Sequence, residues 1–337
     1  MERLGITCLR DEGPWLLDWI AHHQAAGITH FLIASHDLSD GSGALLDALA
    51  DAGHITHLPF TPKGPRPPQW QALKLFAKHD LYRAAEQALF FDVDEYLVVS
   101  DGGNISNLLP DDADAMPLRW HLFGHSGRSQ WEDTPVTDRF TRAAPDFVAV
   151  PTANHFKTLH RPSAFDGLGV HRPKGKQARW VDTFAKPMPS RFMEGQSFIQ
   201  LLGHLTLPER AWLNHYSVRS IEEFVLKAAR GLPNHTEKPV DAGYWALRNF
   251  NTQEDLRIEP MQEATRAARS ALAEFNPLHD ACVSYHRGVL EKLKRRKEVV
   301  DLMWQLELMQ TSTPPRFGKL RDHARLIQGI GQEVSDG

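Results

Sequence analysis

Residues 88–99 read ALFFDVDEYLVV, and three carboxylates, Asp92, Asp94 and Glu95, stand there between two apolar runs. The runs Leu89–Phe91 and Leu97–Val99 favour burial, whereas the acids resist it unless something pairs with them. Asp92 and Asp94 are separated by one residue. On an extended chain both side chains leave the same face and can converge on a single ion. Hard divalent cations such as Mg²⁺ and Mn²⁺ prefer oxygen ligands, and Mg²⁺ is commonly held by one or two carboxylates together with substrate phosphates. A cation here would therefore imply a phosphorylated substrate. The competing reading is a polar surface turn whose acids are only hydrated.

The elements around this segment favour the first reading. RLGITCL (3–9) has the pattern of a short strand, and Pro14 and Gly27 punctuate a helix between them. ITHFLIAS (28–35) is a second strand, ALLDALADAG (44–53) a second helix, and HITHLPF (54–60) a third strand. A Pro-rich loop (61–68) leads to a long helix predicted over 69–87, and ALFFDV follows as a strand buried on both faces. Such alternation predicts an α/β fold, a parallel sheet covered by helices. Ligands of open α/β sheets bind beyond the carboxyl ends of the strands, where Asp92 and Asp94 fall. The regular alternation stops in 114–210. From Ser220 the pattern is helical, over 221–231 and then around 252–275 and 279–310, and the segment beginning TSTPPRFGK reads as loosely held.

Bulk properties narrow the function classes. The chain has 337 residues, 42% of them apolar, enough for a sizeable core. A net charge of −4 argues against a general nucleic-acid partner. Cys8 and Cys282 are the only cysteines and give no disulfide framework or zinc site. No run approaches the ~18 apolar residues of a membrane span, so a cytoplasmic protein without a transmembrane segment is expected, placed at most at the inner face of a membrane. The basic run in EKLKRRKEVV (291–300) fits either a peripheral contact with anionic lipid or the exposed side of a helix.

Several blocks together resemble a family 2-like glycosyltransferase of the GT-A fold, and more narrowly the bacterial branch related to glycosyltransferase family 92. They are Arg10-Asp11-Glu12, Trp15-Leu16-Leu17-Asp18-Trp19, Asp92-Val93-Asp94-Glu95-Tyr96, WHLFGHSG (120–127), HFKTLHRP (155–162) and NHYSVRSIEEFVLKAARG (214–231). Where many relatives carry Asn, this chain has Asp11. The resemblance implies a GT-A domain over 1–218, with a mostly parallel, helix-flanked sheet, and a helical C-terminal region over 219–337. It implies a sugar-nucleotide donor and a saccharide or lipid-linked acceptor, with inversion at the anomeric carbon and a place in surface polysaccharide synthesis. Asp92 and Asp94 would hold Mn²⁺ or Mg²⁺ against the diphosphate. Arg10, Asp11, Glu12, His36 and Asp37 would border the base and ribose.

Transfer from a sugar nucleotide needs neutralisation of the departing diphosphate, a base for the acceptor hydroxyl and positioning of the sugar. His171 and His215 are candidates for a third metal ligand, against a structural role for either. Lys157, Arg219, Lys227 and Arg230 could face phosphate, and Lys227 and Arg230, three apart, share one side of a helix. A solvated helix face is the alternative for that pair. Glu132 and Asp133 are candidate bases beside the Gly-containing GHSGRSQ segment, with Asp166 an equal rival. Trp70, Trp120 and Trp131 fit sugar stacking or ordinary packing. Two other classes stay open, a nucleotidyltransferase and a non-catalytic scaffold. The loop RDEGPW, with one Gly and two acids, is unlike the Gly-rich basic loop the first would need, and the intact D-x-D argues against the second.

Overall fold

In a computed structural model of the chain, residues 2–326 are described except 101, 176–177, 195–197, 203, 205–206, 232–239, 317, 320 and 324. The first half follows the predicted alternation: β1 (Arg3–Leu9), α1 (Gly13–Ala25), β2 (His30–Ser35), α2 (Ser42–Asp51), β3 (Ile55–Pro59), α3 (Pro68–Phe76), α4 (Asp80–Ala84), β4 (Gln87–Phe90) and β5 (Glu95–Val99). The middle supplies β6 (Ala115–Leu122), α5 (Val136–Arg139), β7 (Arg142–Ala143), β8 (Phe156–His160), α6 (Ser190–Glu194) and β9 (Ala211–His215). The last third is α7 (Ile221–Arg230), α8 (Ala242–Ala246), β10 (Gln253–Glu254), α9 (Glu259–Ala271), α10 (Asn276–Leu293) and α11 (Lys297–Leu308).

Eight strands form one sheet in the order β3-β2-β1-β4-β8-β6-β9-β5. The pairings β1–β2, β2–β3, β1–β4 and β6–β9 are parallel, while β8 runs antiparallel to β4 and β6, and β5 antiparallel to β9. This mixed, largely parallel α/β sheet matches the expected fold class. Its strand directions place chemistry at one edge. The carboxyl ends of β1, β2, β4, β6 and β9 lie there, and the antiparallel strands bring their amino ends to the same edge. Glu95, first in β5, is therefore opposite His215, last in β9. Lys157, near the start of β8, falls beside the end of β4 because Leu89 pairs with Leu159.

One sheet face packs on α1, α2, α9 and α10 through residues such as Trp19, Phe31, Leu46, Met261, Phe275 and Cys282. The other face carries Leu4, Ile6, Leu32 and Phe90 against Leu73 and Phe76 of α3. The C-terminal helices thus share a core with the first strands. Contact is close: a Cβ on Gly13 would lie 2.5 Å from the Cys282 sulfur. Gly27, with φ +95°, turns the chain after α1, and a Cβ there would collide with the Asn104 side chain.

Three expectations are corrected. The helix predicted over 69–87 is two helices, because His79 leaves the helical path and its Nδ1 accepts from Leu81 N at 3.2 Å, starting α4 anew. The stretch 279–310 breaks at Lys294–Arg296, where Arg296 turns extended ahead of α11. Asp92–Asp94 is a turn rather than extended chain, closed by Glu95 N donating to Asp92 O at 3.0 Å. The end of the segment described as loosely held, from 327 onward, lies outside the described residues.

Candidate active site

The acidic turn hangs between β4 and β5 and is fixed from below. Trp19 Nε1 donates to the carbonyls of Asp92 and Glu95, each at 3.1 Å. Both oxygens of Asp92 are engaged: Oδ1 accepts from Gln69 Nε2 at 2.9 Å, and Oδ2 from Lys157 Nζ at 3.0 Å. Lys157 is fully buried, with Nζ also 3.5 Å from Glu95. Burial works against this ammonium, but Asp92 and then Glu95 raise its pKa above the usual lysine value. Burial raises the Glu95 carboxyl far above its usual range, with Asp92 and Asp94 adding to the shift against Lys157. Glu95 is thus the floor of the turn, not an exposed acid.

Asp94 faces a different set. Its Oδ2 accepts from Lys227 Nζ at 2.8 Å, and its Oδ1 lies 3.4 Å from His215 Nε2. Burial works against the charge on Asp94, but Lys227, then His215, hold its pKa well below the carboxylate range. Lys227 arrives on α7, whose start is set by a capping box: Ser220 Oγ accepts from Glu223 N, and Glu223 accepts from Ser220 N. Three residues on, Arg230 donates to the carbonyls of Arg10 at 3.0 Å and Asp11 at 2.9 Å and pairs with Glu12 at 2.5 Å. Arg10 in turn donates to the Arg230 carbonyl. The β1–α1 loop and the end of α7 are therefore clasped together, and Lys227 and Arg230 do not form a solvated helix face.

These groups line a cavity of about 190 Å³. Among the described residues its cations are Arg10, Lys227, Arg230 and Arg248, facing Glu12, Asp92 and Asp94. Trp120 forms one wall, with the His215 ring centroid 4.2 Å and the His171 centroid 5.4 Å from its own. Burial lowers the pKa of His215 against the pull of Asp94, and lowers those of His171, further depressed by Lys157, and His155, to about 4 with Arg248 adding. All three imidazoles are neutral at neutral pH.

Asp94, Glu95 and His215 each offer a ligand atom, all within 4.8 Å of one another. Among the described residues, Nδ1 of His215 is buried without a hydrogen-bond partner, as are both Glu95 oxygens. A carboxylate and a neutral imidazole at a cavity wall suit a divalent cation that accepts oxygen and nitrogen donors. The residues present therefore fit a Mn²⁺ or Mg²⁺ ion, which Asp94 and His215 would hold. His171 lines the same cavity but is outside that cluster, and its Nδ1 is bonded to the Phe156 carbonyl at 2.8 Å.

Of the residues singled out in the sequence, the fold brings Arg10, Glu12, Asp92, Asp94, His171, His215, Lys227 and Arg230 to one cavity, with Lys157 beneath it. Arg219 adjoins it, 3.7 Å from Glu12 and stacked over Trp15. Asp11 points elsewhere: its carboxylate accepts from the backbone of Ser39 at 2.7 Å and Asp40 at 3.1 Å, pinning the loop after β2. His36 is bonded to Asp37 at 2.9 Å in that loop, and neither lines the cavity. The candidate bases are also outside it. Asp133 bonds His279 at 3.2 Å, Glu132 bonds Arg128 at 3.0 Å, and Asp166 sits in the segment paired with Lys174. Glu132 and Asp133 follow the GHSGRSQ segment, and Trp131 N, donating to Glu222, ties that loop to α7. Gln69, His155, Tyr244 and Arg248 belong to the site and were not singled out. Tyr244 and Arg248 come from the region without motifs, and no sequence signal marked them.

The model of one protein family, glycosyltransferase family 92, matches residues 6–194. No curated protein matches the chain. Among solved structures, TarS 1-349 of S. aureus is 11% identical with a TM-score of 0.33, covering 88% of this chain and 92% of its own. HddC from Yersinia pseudotuberculosis is 10% identical with a TM-score of 0.29, covering 58% and 99%. A putative glucose-1-phosphate thymidylyltransferase from Bacillus anthracis is 11% identical with a TM-score of 0.26, covering 79% and 95%. At these scores the three likenesses carry no argument about this chain.

Proposed function

The chain belongs to glycosyltransferase family 92, and from that premise we propose that the cavity binds a sugar nucleotide with Mn²⁺ or Mg²⁺ and passes the sugar to an acceptor hydroxyl with inversion. Family membership makes it a glycosyltransferase rather than a nucleotidyltransferase. The observation that carries the finer reading is the joining of Asp94 and His215 to four cationic side chains in one cavity. When bound, the cation supplies charge neutralisation for the departing diphosphate. Arg10, Lys227, Arg230 and Arg248 bind and orient the phosphates from the opposite side. Asp92, held by Gln69 and Lys157, presents its remaining lone pairs in a fixed direction. Trp120 offers an apolar wall to the sugar.

A proton acceptor for the hydroxyl is needed within the cavity, and Glu132 and Asp133 stand outside it. His171 fits the requirement. Its Nδ1 donates to the Phe156 carbonyl, which leaves a lone pair on Nε2 at the cavity, while burial and then Lys157 make the ring a weak base in the free protein.

Calorimetric titration with UDP, GDP and CMP, each with and without Mn²⁺, tests the reading. One nucleotide is expected to bind intact protein in a Mn²⁺-dependent way, and the Asp92→Ala/Asp94→Ala variant to lose that binding. Absence of nucleotide binding by folded intact protein with metal present would overturn it.

We further propose a peripheral contact with anionic lipid, which would bring a lipid-linked acceptor, as in surface polysaccharide synthesis, to the cavity. No described helix is long and apolar enough to cross a membrane. On α11, however, Val300, Trp304 and Leu308 form an outward stripe at i, i+4, i+8, with Trp304 64% and Leu308 68% exposed. Residues 291–326 carry nine basic and five acidic side chains, in a chain whose net charge is −4. An apolar stripe beside excess positive charge fits an anionic bilayer surface. Intact protein is expected to sediment with phosphatidylglycerol vesicles and not with pure phosphatidylcholine, and Trp304→Ser/Leu308→Ser to stay in solution. Equal recovery of both proteins in the supernatant would sink the idea.

A further inference from the structure

We propose that Lys227 occupies the place of the divalent cation on Asp94 until a diphosphate arrives, so that metal and nucleotide enter the cavity together. The inference rests on the reading of Asp94 and His215 as cation ligands. Lys227 Nζ is 2.8 Å from Asp94 Oδ2 and 2.9 Å from the Ser217 carbonyl, on the same carboxylate whose other oxygen faces His215 at 3.4 Å. The ammonium already neutralises Asp94. Arg230 is one helical turn further along α7, and Arg219 flanks the same pocket wall.

Adding a divalent charge to a carboxylate that already holds an ammonium places like charges a few ångströms apart in a poorly solvated cavity. That is unfavourable unless an anion enters too. A nucleoside diphosphate supplies the missing negative charge. Lys227 lines the cavity, so its ammonium can turn from Asp94 to a phosphate oxygen without leaving α7's side of the site. Lys157 cannot play this part, because it is fully buried between Asp92 and Glu95 below the turn. The two lysines therefore have different jobs: Lys157 is a fixed counter-ion, and Lys227 is a displaceable one.

The test is Mn²⁺ binding without nucleotide, read by electron paramagnetic resonance and by calorimetry. Intact protein is compared with Lys227→Met, and with Lys227→Gln in case the first variant fails to fold. Removal of the competing ammonium should tighten Mn²⁺ binding by about tenfold or more, the scale of one charge-assisted hydrogen bond. Adding Asp94→Ala to the Lys227 variant should abolish the gain. In separate titrations without metal, inorganic pyrophosphate should bind the Lys227 variants more weakly than intact protein. Unchanged Mn²⁺ affinity in both Lys227 variants, with binding still lost in Asp94→Ala, overturns the competition and leaves the metal site standing. No Mn²⁺ bound by any variant, even with pyrophosphate present, removes the metal reading and this inference with it.

Discussion

Asp94→Asn is expected to lower sugar transfer by about 10²–10³-fold while the protein stays folded. The amide keeps the shape of the side chain but removes the charge that would draw a cation. Lys227 keeps its second partner, the Ser217 carbonyl, so the fold around α7 is preserved. His215→Ala is expected to weaken Mn²⁺ binding by at least about tenfold. His171→Gln should leave Mn²⁺ affinity unchanged and reduce turnover, because its assigned role is proton acceptance. The readouts are nucleoside diphosphate release from the matching sugar nucleotide and a parallel Mn²⁺ titration. An Asp94→Asn enzyme with undiminished turnover would remove Asp94 from the chemistry. Loss of metal affinity in His171→Gln but not His215→Ala would exchange the roles of the two histidines.

Glu223→Ala should produce the largest loss of stability, about 3–5 kcal/mol in urea unfolding. Glu223 is 3% exposed and binds Arg139 through two bonds, Nη1 to Oε2 at 2.7 Å and Nη2 to Oε1 at 3.0 Å. It also accepts from Ser220 Oγ at 2.6 Å and Trp15 Nε1 at 3.0 Å. The truncation leaves the buried Arg139 guanidinium without a counter-charge and Ser220 without its capping partner. Because α7 carries Lys227 and Arg230, pyrophosphate binding should weaken in the same variant. Burial opposes ionisation of Glu223, but Arg139, followed by Arg219 and Ser220, depresses its pKa. A depressed carboxylate contributes its stability above the unfolded value, about 4.3, and loses it as pH falls through the folded value. The gap between intact protein and variant should accordingly be full at neutral pH and close in acid. Replacing both partners, as Glu223→Leu/Arg139→Met, should recover part of the loss, since neither buried charge is then left alone. A single-variant loss below ~1 kcal/mol would show that water reaches Arg139.

The helices α1 and α2, the strands around them and the place of the acidic segment after β4 were legible because their signals are local. Apolar runs, Pro14 and Gly27, and the alternation of strand and helix patterns all act over a few residues. The blocks around Arg10–Glu12 and 214–231 were legible in the same way, and they do meet, through Arg230 on the carbonyls of Arg10 and Asp11. The break at His79 was not legible, since Leu73, Ala77, Leu81 and Ala84 keep helical spacing across it. Glu132 and Asp133 failed as cavity residues for a long-range reason: their loop is bound to α7 and α10 by Glu222 and His279, both distant in sequence.

By itself, the sequence determined the α/β class, the place of the carboxylates at a strand end and the family blocks, because short-range periodicity and motif chemistry encode them. Only the tertiary structure decided what each acid does. Strand directions set Glu95 against His215 and Lys157 beside Asp92, and α7 delivered Lys227 to Asp94 from 133 residues away. One motif was thereby divided into a fixed residue, Asp92, a residue paired with Lys227, Asp94, and a buried support, Glu95. Pairing partners settle that division, and partners brought together by sheet register and helix packing leave no mark in the local pattern.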